Sequence, residues 1–336
     1  MVRALVTGAA GFIGSHVAEA LASRGVTVRC LVRSPAKATR LIERGFRLVP
    51  GSLEDPAAVA KAVEGADVVY HLAGLTRSLT RGDMHQVNCE GTTCLLDACA
   101  AQASPPRVVL VSSIAASGPV ARGQVRLEAD PPAPVSEYGR SKLAGEQAAR
   151  KFADRLAITV LRPGIVFGPR DRSMLTAFRS IRLTCSHHLP GMFPPLMSWI
   201  YVDDLVGGIL TAAERGATLT AGDAAPQQGI YFAVAPEYLT WGQMGCIVRR
   251  PLGRRFAPLV PVPRPLLWGV AAVSEKVSQL LGTATDMNLD RMREACASSW
   301  VCSNAAAERD LGLVPERPLA DRLVETVDWY FANRWL

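Results

Sequence analysis

The chain has 336 residues, of which 49% are hydrophobic, and it carries a formal net charge of +7. This composition excludes a disordered chain and predicts one large domain with a substantial core plus a smaller one. The arginines are spread along the chain and do not gather in one helix, which argues against nucleic acid as a partner and favours an anionic small molecule. The first residues lead into an apolar run without the pattern of a secretory signal, so we expect a cytoplasmic protein.

Short apolar runs alternate with longer amphipathic stretches over the first two-thirds of the chain. The runs predict strands at 2–7, 27–32, 47–50, 67–71, 107–112 and 157–162. The stretches between them predict helices near 12–24, 56–64, 83–101 and 137–154. Such alternation is typical of an α/β fold, here a Rossmann doubly wound parallel sheet with helices on both faces.

The alternation ends near residue 168, where proline-rich stretches begin. We predict that residues 1–168 form the dinucleotide-binding domain and that a later segment, about 199–215, returns to it. Residues 169–336 are predicted to form mostly a smaller C-terminal substrate-binding lobe.

The most apolar stretch of this lobe is 262–281, whose charges and prolines argue against a transmembrane helix. We favour a helix packed on the core of the lobe. The alternative is an apolar lid or a peripheral membrane contact, aided by the arginine pairs at 249–250 and 254–255.

Eight cysteines are scattered along the chain without a C-x-x-C pair. Zinc sites need closely spaced ligands, and disulfide frameworks belong mostly to small secreted chains. The pattern therefore favours reduced thiols that act as small apolar side chains, and it predicts no metal site.

A glycine-rich turn, TGAAGFIG, connects the first predicted strand to the first predicted helix. A pyrophosphate must approach the backbone N–H groups at the start of such a helix, so glycine is needed where side chains would block it. The order of strand, turn and helix makes this a specific signal for a dinucleotide. The predicted coenzyme-binding residues in the turn are Thr7, Gly8, Gly11, Phe12, Ile13 and Gly14.

The end of the second strand indicates which dinucleotide is bound. An NAD site usually has a carboxylate there, to accept hydrogen bonds from the ribose hydroxyls. This chain has Arg33 instead, followed by Lys37 and Arg40. Cations at these positions suit a 2′-phosphate, so we favour NADP(H) and keep NAD(H) as the alternative. The other interpretation is that the three are ordinary solvated charges.

Tyr138 and Lys142 stand four residues apart, on one face of a predicted helix. Reducing a ketone requires a proton donor at the forming alkoxide, and the reverse reaction requires a base at the same place. A free tyrosine titrates near ~10, and we expect the ammonium and the oxidised nicotinamide ring to lower the pKa of Tyr138. Ser112 and Ser113 end the fifth strand, where either hydroxyl can orient a substrate oxygen.

Together these motifs resemble the extended short-chain dehydrogenase/reductases, the superfamily of NAD(P)-dependent epimerases, dehydratases and 3β-hydroxysteroid dehydrogenases. The resemblance covers residues 1 to about 215. The matching motifs are TGAAGFIG at 7–14, HLAG at 71–74, VNCEGT at 87–92, VSSIAASGP at 111–119, YGRSK at 138–142, RPGIVFGPRD at 162–171 and WIYVDDL at 199–205.

The resemblance implies that Ser113, Tyr138 and Lys142 form the catalytic triad and that Asn88 faces the site from a helix. It also implies a homodimer, formed through the helices that carry Asn88 and Tyr138. Ser52 departs from the pattern, because the family usually has an aspartate there that helps to fix adenine. Further coenzyme contacts are expected from Leu53, Leu72, Ala73, Gly74, Ser112, Pro163, Gly164 and Val166.

Two departures concern the substrate. Many sugar-nucleotide members resemble R-P-x-N after the sixth strand, but this chain has Gly164 and Ile165 in place of the last two residues. Many also carry an arginine before the V-D-D segment, whereas residues 193–199 are apolar. A diphosphate site should not be so apolar. We therefore expect an oxidoreductase that interconverts a secondary alcohol and a ketone on an apolar, steroid- or lipid-like substrate. The alternative is a sugar-nucleotide epimerase or dehydratase that retains NAD(P).

Overall fold

The computed structural model describes residues 2–77, 81–222, 227–283, 285 and 287–336, and leaves the side chains of residues 37 and 81 undescribed. The strands are β1 (Arg3–Thr7), β2 (Thr27–Val32), β3 (Arg47–Pro50), β4 (Val68–His71), β5 (Arg107–Val111), β6 (Ile158–Pro163), β7 (Ile165–Phe167), β8 (His187–Pro190), β9 (Leu196–Tyr201), β10 (Ile230–Ala233), β11 (Tyr238–Thr240) and β12 (Leu259–Val262). The helices are α1 (Phe12–Ser23), α2 (Thr39–Glu43), α3 (Pro56–Val63), α4 (Arg81–His85), α5 (Gly91–Ala100), α6 (Ile114–Ser117), α7 (Glu137–Arg150), α8 (Arg172–Thr184), α9 (Val202–Arg215), α10 (Trp241–Val248), α11 (Arg264–Leu281), α12 (Leu289–Ala295), α13 (Ala305–Leu311) and α14 (Leu319–Ala332). A π-helical segment, Gln86–Glu90, joins α4 to α5.

Seven strands form the main sheet, in the order β3-β2-β1-β4-β5-β6-β10. Every pairing in this sheet is parallel. The direction of winding reverses between β1 and β4, which is the position where doubly wound sheets bind their ligands. The predicted Rossmann α/β fold is therefore confirmed, and β10 adds a seventh strand that the sequence pattern did not predict.

Apolar side chains cover both faces of the main sheet, which explains why its strands are continuous apolar runs. One core contains Val17 and Leu21 of α1 together with Leu205 and Ile209 of α9. The core on the other face contains residues of α3, α5 and α7. The helix at 202–215 thus packs on the main sheet, while the division of the chain into two domains stays a prediction.

The remaining segments build a third core next to the sheet, called here the C-terminal core. A three-stranded sheet of order β11-β9-β7 and a parallel pair of β12 with β8 lie in this region. Its largest buried side chains include Trp199, Tyr201, Phe178 and Tyr330. Aromatic packing of this kind makes the region a cohesive body beside the carboxyl edge of the main sheet.

The predicted packing of residues 262–281 is wrong. The helix forms as expected, but only Ala271 and Ser278 of α11 are buried, and six of its large apolar side chains are exposed. An amphipathic pattern indicates that a helix has an apolar face without indicating which surface covers it. Within the described part of the chain, none of the helices is both long and apolar enough to cross a membrane.

Candidate active site

The glycine turn has the close backbone approaches that its sequence predicts. Gly8 has a φ of 74°, and a Cβ built there would lie 2.7 Å from the backbone nitrogen of Ala73, after β4. A Cβ on Gly14 would collide with the carbonyl oxygen of Gly8. Helix α1 starts after Gly11, which offers no side-chain cap, so the N–H groups of its first turn face a site built from backbone. These features suit a pyrophosphate.

The cations after β2 have different environments. Arg33 is exposed at the end of the strand. Arg40 instead pairs with Glu19 of α1, with 2.6 Å between its Nε and the carboxylate, and Glu19 also pairs with Arg170 at 3.0 Å. The side chain of Lys37 lies outside the described residues. Of the two described arginines, Arg33 is therefore the better placed for a 2′-phosphate.

A buried chain of hydrogen bonds joins the glycine turn to β4 and α5. His71, the last residue of β4, is 1% exposed and contacts Thr7 Oγ1 at 2.7 Å and Thr92 Oγ1 at 3.0 Å. Thr92 donates to the carbonyl oxygen of Asn88, so it accepts from His71 Nε2, and Nδ1 accepts from Thr7. Burial, and secondarily the charge of Lys142, lowers the pKa of His71 to about 3. His71 is thus a neutral, packed residue.

Ser113, Tyr138 and Lys142 meet at the carboxyl edge of the sheet. Lys142 donates from Nζ to the carbonyl oxygen of Val111, the last residue of β5, at 2.8 Å. Ser113 lies two residues after the end of β5 and caps α6, where its hydroxyl accepts a hydrogen bond from the backbone nitrogen of Ala115. Its hydroxyl also lies close enough to the phenol of Tyr138 to lower the pKa of that group. The structure therefore brings together the three residues that the family resemblance implies.

The electrostatics around Tyr138 differ from the expectation. Burial raises the pKa of Tyr138, and the opposing effects come first from Arg291 and then from the hydrogen bond with Ser113. The cation that lowers the pKa of the phenol most is Arg291, and burial lowers the pKa of Lys142 itself to about 8. The spacing of Tyr138 and Lys142 was thus sufficient to place them together and insufficient to show how they interact.

A buried ion pair sets the orientation of α7. Glu146, one turn after Lys142, binds Arg162 of β6 at 3.0 Å through Nε and at 2.6 Å through Nη2. The hydroxyl of Ser112 donates to the same carboxylate. Since Ser112 uses its side chain here, a coenzyme contact from Ser112 has to come from its backbone, and Ser113 is the serine that faces Tyr138.

Asn88 acts as a positioning residue and does not reach Tyr138 through a described hydrogen bond. Its side chain accepts from the backbone nitrogen of Leu75 at 2.7 Å and donates to the carbonyl oxygen of Leu75 at 2.9 Å. It also donates to Ser141 of α7 at 2.9 Å. These bonds hold the segment after β4 against the helix that carries Tyr138.

The other predicted coenzyme residues surround the same edge of the sheet. Leu72 and Ala73 lie against Gly8, and a Cβ on Gly74 would come within 3.8 Å of Lys142 Nζ. Leu53 is buried against Gly91, and Gly164 lies against the carbonyl oxygen of Ser198. Phe12 and Ile13 are in the first turn of α1. Pro163 ends β6, and Val166 lies in β7. Ser52 accepts a hydrogen bond from the backbone nitrogen of Glu54.

Helix α12 covers Tyr138, and no motif in the sequence identified it. The carboxylate of Asp290 accepts from the backbone nitrogens of Glu137 at 2.7 Å and Tyr138 at 3.2 Å. Glu294 accepts from the Ser136 hydroxyl at 2.6 Å. The guanidinium of Arg291 lies 5.6 Å from the centre of the Tyr138 ring. Acidic groups at the start of α7 also favour that helix through its dipole.

The apolar side chains of residues 193–199 have different environments in the structure. Met197 and Trp199 are buried in the C-terminal core, whereas Phe193 is 64% exposed. Arg122 reaches Phe193 from elsewhere in the chain, with its guanidinium 5.6 Å from the ring. Arg122 also lines an open cleft of about 340 Å³ together with Leu196.

Residues 4–224 match the NAD dependent epimerase/dehydratase family. The chain belongs to this family. The match covers the glycine turn, the Ser113–Tyr138–Lys142 cluster and the strands that carry them.

Similar proteins extend this family assignment over the whole chain. The chain is 30% identical over 334 residues to a ceramide reductase of Caulobacter vibrioides, covering 98% of this chain and 95% of the relative. It is 26% identical to sterol demethylase protein B of Methylococcus capsulatus, covering 97% of each chain. The crystal structure of a UDP-glucose 4-epimerase of Thermotoga maritima superposes with a TM-score of 0.78 at 22% identity, covering 99% of this chain and 100% of that one. The last comparison shows the shared fold.

Replacing Arg291 with methionine should raise the pKa of Tyr138, because the substitution removes the positive charge beside the phenol. The ionisation is measured by phenolate absorbance as a function of pH, after subtraction of the same titration with Tyr138→Phe. Arg291→Lys keeps the charge and serves as the control, with a smaller shift. An unchanged pKa of Tyr138 in Arg291→Met would contradict the proposed effect of the Arg291 charge on the phenol.

Proposed function

We propose that this protein is an NAD(P)(H)-dependent oxidoreductase that interconverts a secondary alcohol and a ketone on an apolar, steroid- or lipid-like substrate. The observation that carries the proposal is the meeting of Ser113, Tyr138 and Lys142 beside the glycine turn, at the carboxyl edge of the sheet. A nucleotide held along that edge would present its nicotinamide to the three side chains.

Each of the three side chains has a separate role in ketone reduction. When bound, the reduced nicotinamide supplies the hydride that the carbonyl carbon accepts. Ser113 donates a hydrogen bond to the carbonyl oxygen and orients it. Tyr138 gives its phenolic proton to that oxygen as the alkoxide forms. Because burial raises the pKa of Tyr138, the phenol is protonated at neutral pH and acts as the acid in this direction.

Lys142 acts on the coenzyme side. Its ammonium lies between the end of β5 and the turn at Gly74, where the ribose of the nicotinamide half would bind. With a pKa of about 8, Lys142 carries its charge at neutral pH, so it attracts the ribose hydroxyls and the negative phosphates.

Two kinds of support favour an apolar substrate. Ile165 stands where many sugar-nucleotide members have an asparagine that binds the diphosphate, and the exposed side chains near the C-terminal core include Met192 and Phe193. The relatives named above are a ceramide reductase and a sterol demethylase protein, so both names refer to lipids.

A sugar-nucleotide epimerase or dehydratase is the second candidate. Arg122 favours it, because a guanidinium in an open cleft suits a diphosphate. Such an enzyme would retain its coenzyme through turnover and show no net oxidation.

The proposal is tested by following NADPH and NADH absorbance with a panel of sterols, long-chain aliphatic ketones and nucleotide sugars. We expect oxidation of NADPH with an apolar ketone, and a loss of at least about a hundredfold in Tyr138→Phe, since general acid catalysis contributes on the order of that factor. Tyr138→Phe keeps the ring that Arg291 contacts, so the loss would report the proton. Turnover of nucleotide sugars alone would reject the substrate class, and full activity in Tyr138→Phe would reject the mechanism.

We also propose a preference for NADP(H), based on the exposed Arg33 at the end of β2. Arg33→Asp should weaken NADPH binding and leave NADH binding unchanged or improved, because a carboxylate repels a 2′-phosphate. Coenzyme fluorescence titrations measure both affinities. Arg44→Asp, at an exposed position just after α2, is the matched control for the change in charge. An NADPH preference that survives Arg33→Asp while Arg44→Asp also has no effect would exclude this role for Arg33.

A further inference from the structure

Helix α11 has an apolar face that points away from the rest of the protein. Leu280 is 87% exposed, Leu281 70% and Val273 65%. The full set of exposed apolar residues on the helix, called here the α11 face, is Leu266, Val270, Val273, Val277, Leu280 and Leu281. Their spacing of three or four residues places them in one stripe along the helix. Six large side chains in one stripe form a contiguous apolar patch, in contrast to the single exposed apolar residues that are common on protein surfaces.

The α11 face continues into the chain that precedes the helix. Phe256 is 73% exposed, and Leu259 and Val260 are 40% and 38% exposed at the start of β12. Strand β12 ends at Val262, and α11 begins two residues later. Exposed apolar side chains therefore occur both along the 18 residues of α11 and in the segment that immediately precedes it.

Basic residues accompany this surface. Positions 249–285 contain six arginines and lysines and one acidic residue, Glu275. Arg250, Arg255, Arg264 and Lys276 are exposed. Glu275 accepts a hydrogen bond from the backbone nitrogen of Leu289 at 3.0 Å, so its carboxylate is directed toward the protein. The segment thus combines exposed apolar side chains with a local excess of positive charge.

We propose that the α11 face docks on the surface of an anionic phospholipid bilayer, with the helix lying in the plane of the interface. A helix whose apolar stripe is bordered by basic residues binds such surfaces through apolar burial and attraction to lipid headgroups. A second copy of the chain fits less well. In a two-fold interface the same patch meets itself, so the basic residues of one copy would approach those of the other.

The docking surface is linked to the catalytic tyrosine through one short connection. Helix α11 is followed by α12, whose first turn is capped by Asn288 and by Glu275 of α11 itself. Helix α12 in turn places Asp290 and Arg291 on Tyr138. Docking through α11 would therefore bring the active site close to the bilayer, where apolar substrates are dissolved. The proposal does not rest on the proposed reaction, since docking is measured without turnover.

The test is flotation of the full-length protein with vesicles of phosphatidylcholine, with and without phosphatidylglycerol. We expect the wild-type chain to float with the mixed vesicles and to be released in part by high salt. Val273→Glu combined with Val277→Glu should reduce the bound fraction about tenfold or more, because carboxylates would replace apolar side chains that enter the bilayer interface. Arg250→Glu combined with Arg255→Glu should abolish the preference for phosphatidylglycerol. Val314→Glu, at another exposed valine far along the chain, is the matched control and should bind normally.

Two results would overturn the proposal. The first is wild-type protein that remains unbound with both kinds of vesicle, or a Val273→Glu, Val277→Glu variant that binds as the wild type does. The second is a change of oligomeric state, measured by light scattering during gel filtration. If that double variant is monomeric while the wild type is a larger assembly that ignores vesicles, the α11 face belongs to a second copy. Since both valines are exposed, thermal unfolding of the variant should match the wild type.

Discussion

The ion pair between Glu146 and Arg162 is the contact on which the arrangement of the active site depends. Both side chains are almost fully buried, and their two hydrogen bonds join α7 to the sheet while Ser112 ties the same carboxylate to the end of β5. Although burial alone lowers the pKa of Arg162, the charge and hydrogen bonds of Glu146 raise it overall, so the guanidinium stays charged. With Glu146 fixed, the helical repeat places Lys142 one turn away and Tyr138 two turns away, both directed at the carboxyl edge of the sheet.

A second attachment acts on the opposite end of α7. Asp290 binds the first backbone nitrogens of the helix, and Arg291 lies over the ring of Tyr138. The catalytic tyrosine is therefore held between the main sheet and a helix from the C-terminal part of the chain. This arrangement makes the ionisation of Tyr138 sensitive to the position of α12, because burial and the charge of Arg291 act on the phenol in opposite directions.

The fold class and the glycine turn could be predicted because both depend on local pattern. Alternating apolar periods specify strands and helices, and the positions of Gly8 and Gly14 leave no room for a side chain. The contacts of Arg291 with Tyr138 join residues about 150 positions apart, and neither residue carries a local signal for the other. The outward face of α11 was mispredicted for a related reason: its period shows an apolar stripe, and only packing shows what that stripe contacts. Ser112 and Ser113 could not be told apart from their positions alone, because the Ser112 hydroxyl is taken up by the distant Glu146, whereas the Ser113 hydroxyl caps α6.

The most direct test of this account is the free energy of unfolding of Glu146→Gln, measured by urea denaturation beside the wild type. Removing one partner leaves Arg162 buried without its counter-charge, so we expect a loss of about 3–5 kcal/mol. The paired variant Glu146→Leu with Arg162→Met removes both charges and should recover most of that loss. A Glu146→Gln protein as stable as the wild type would contradict the account, since α7 would then be held in place by other contacts.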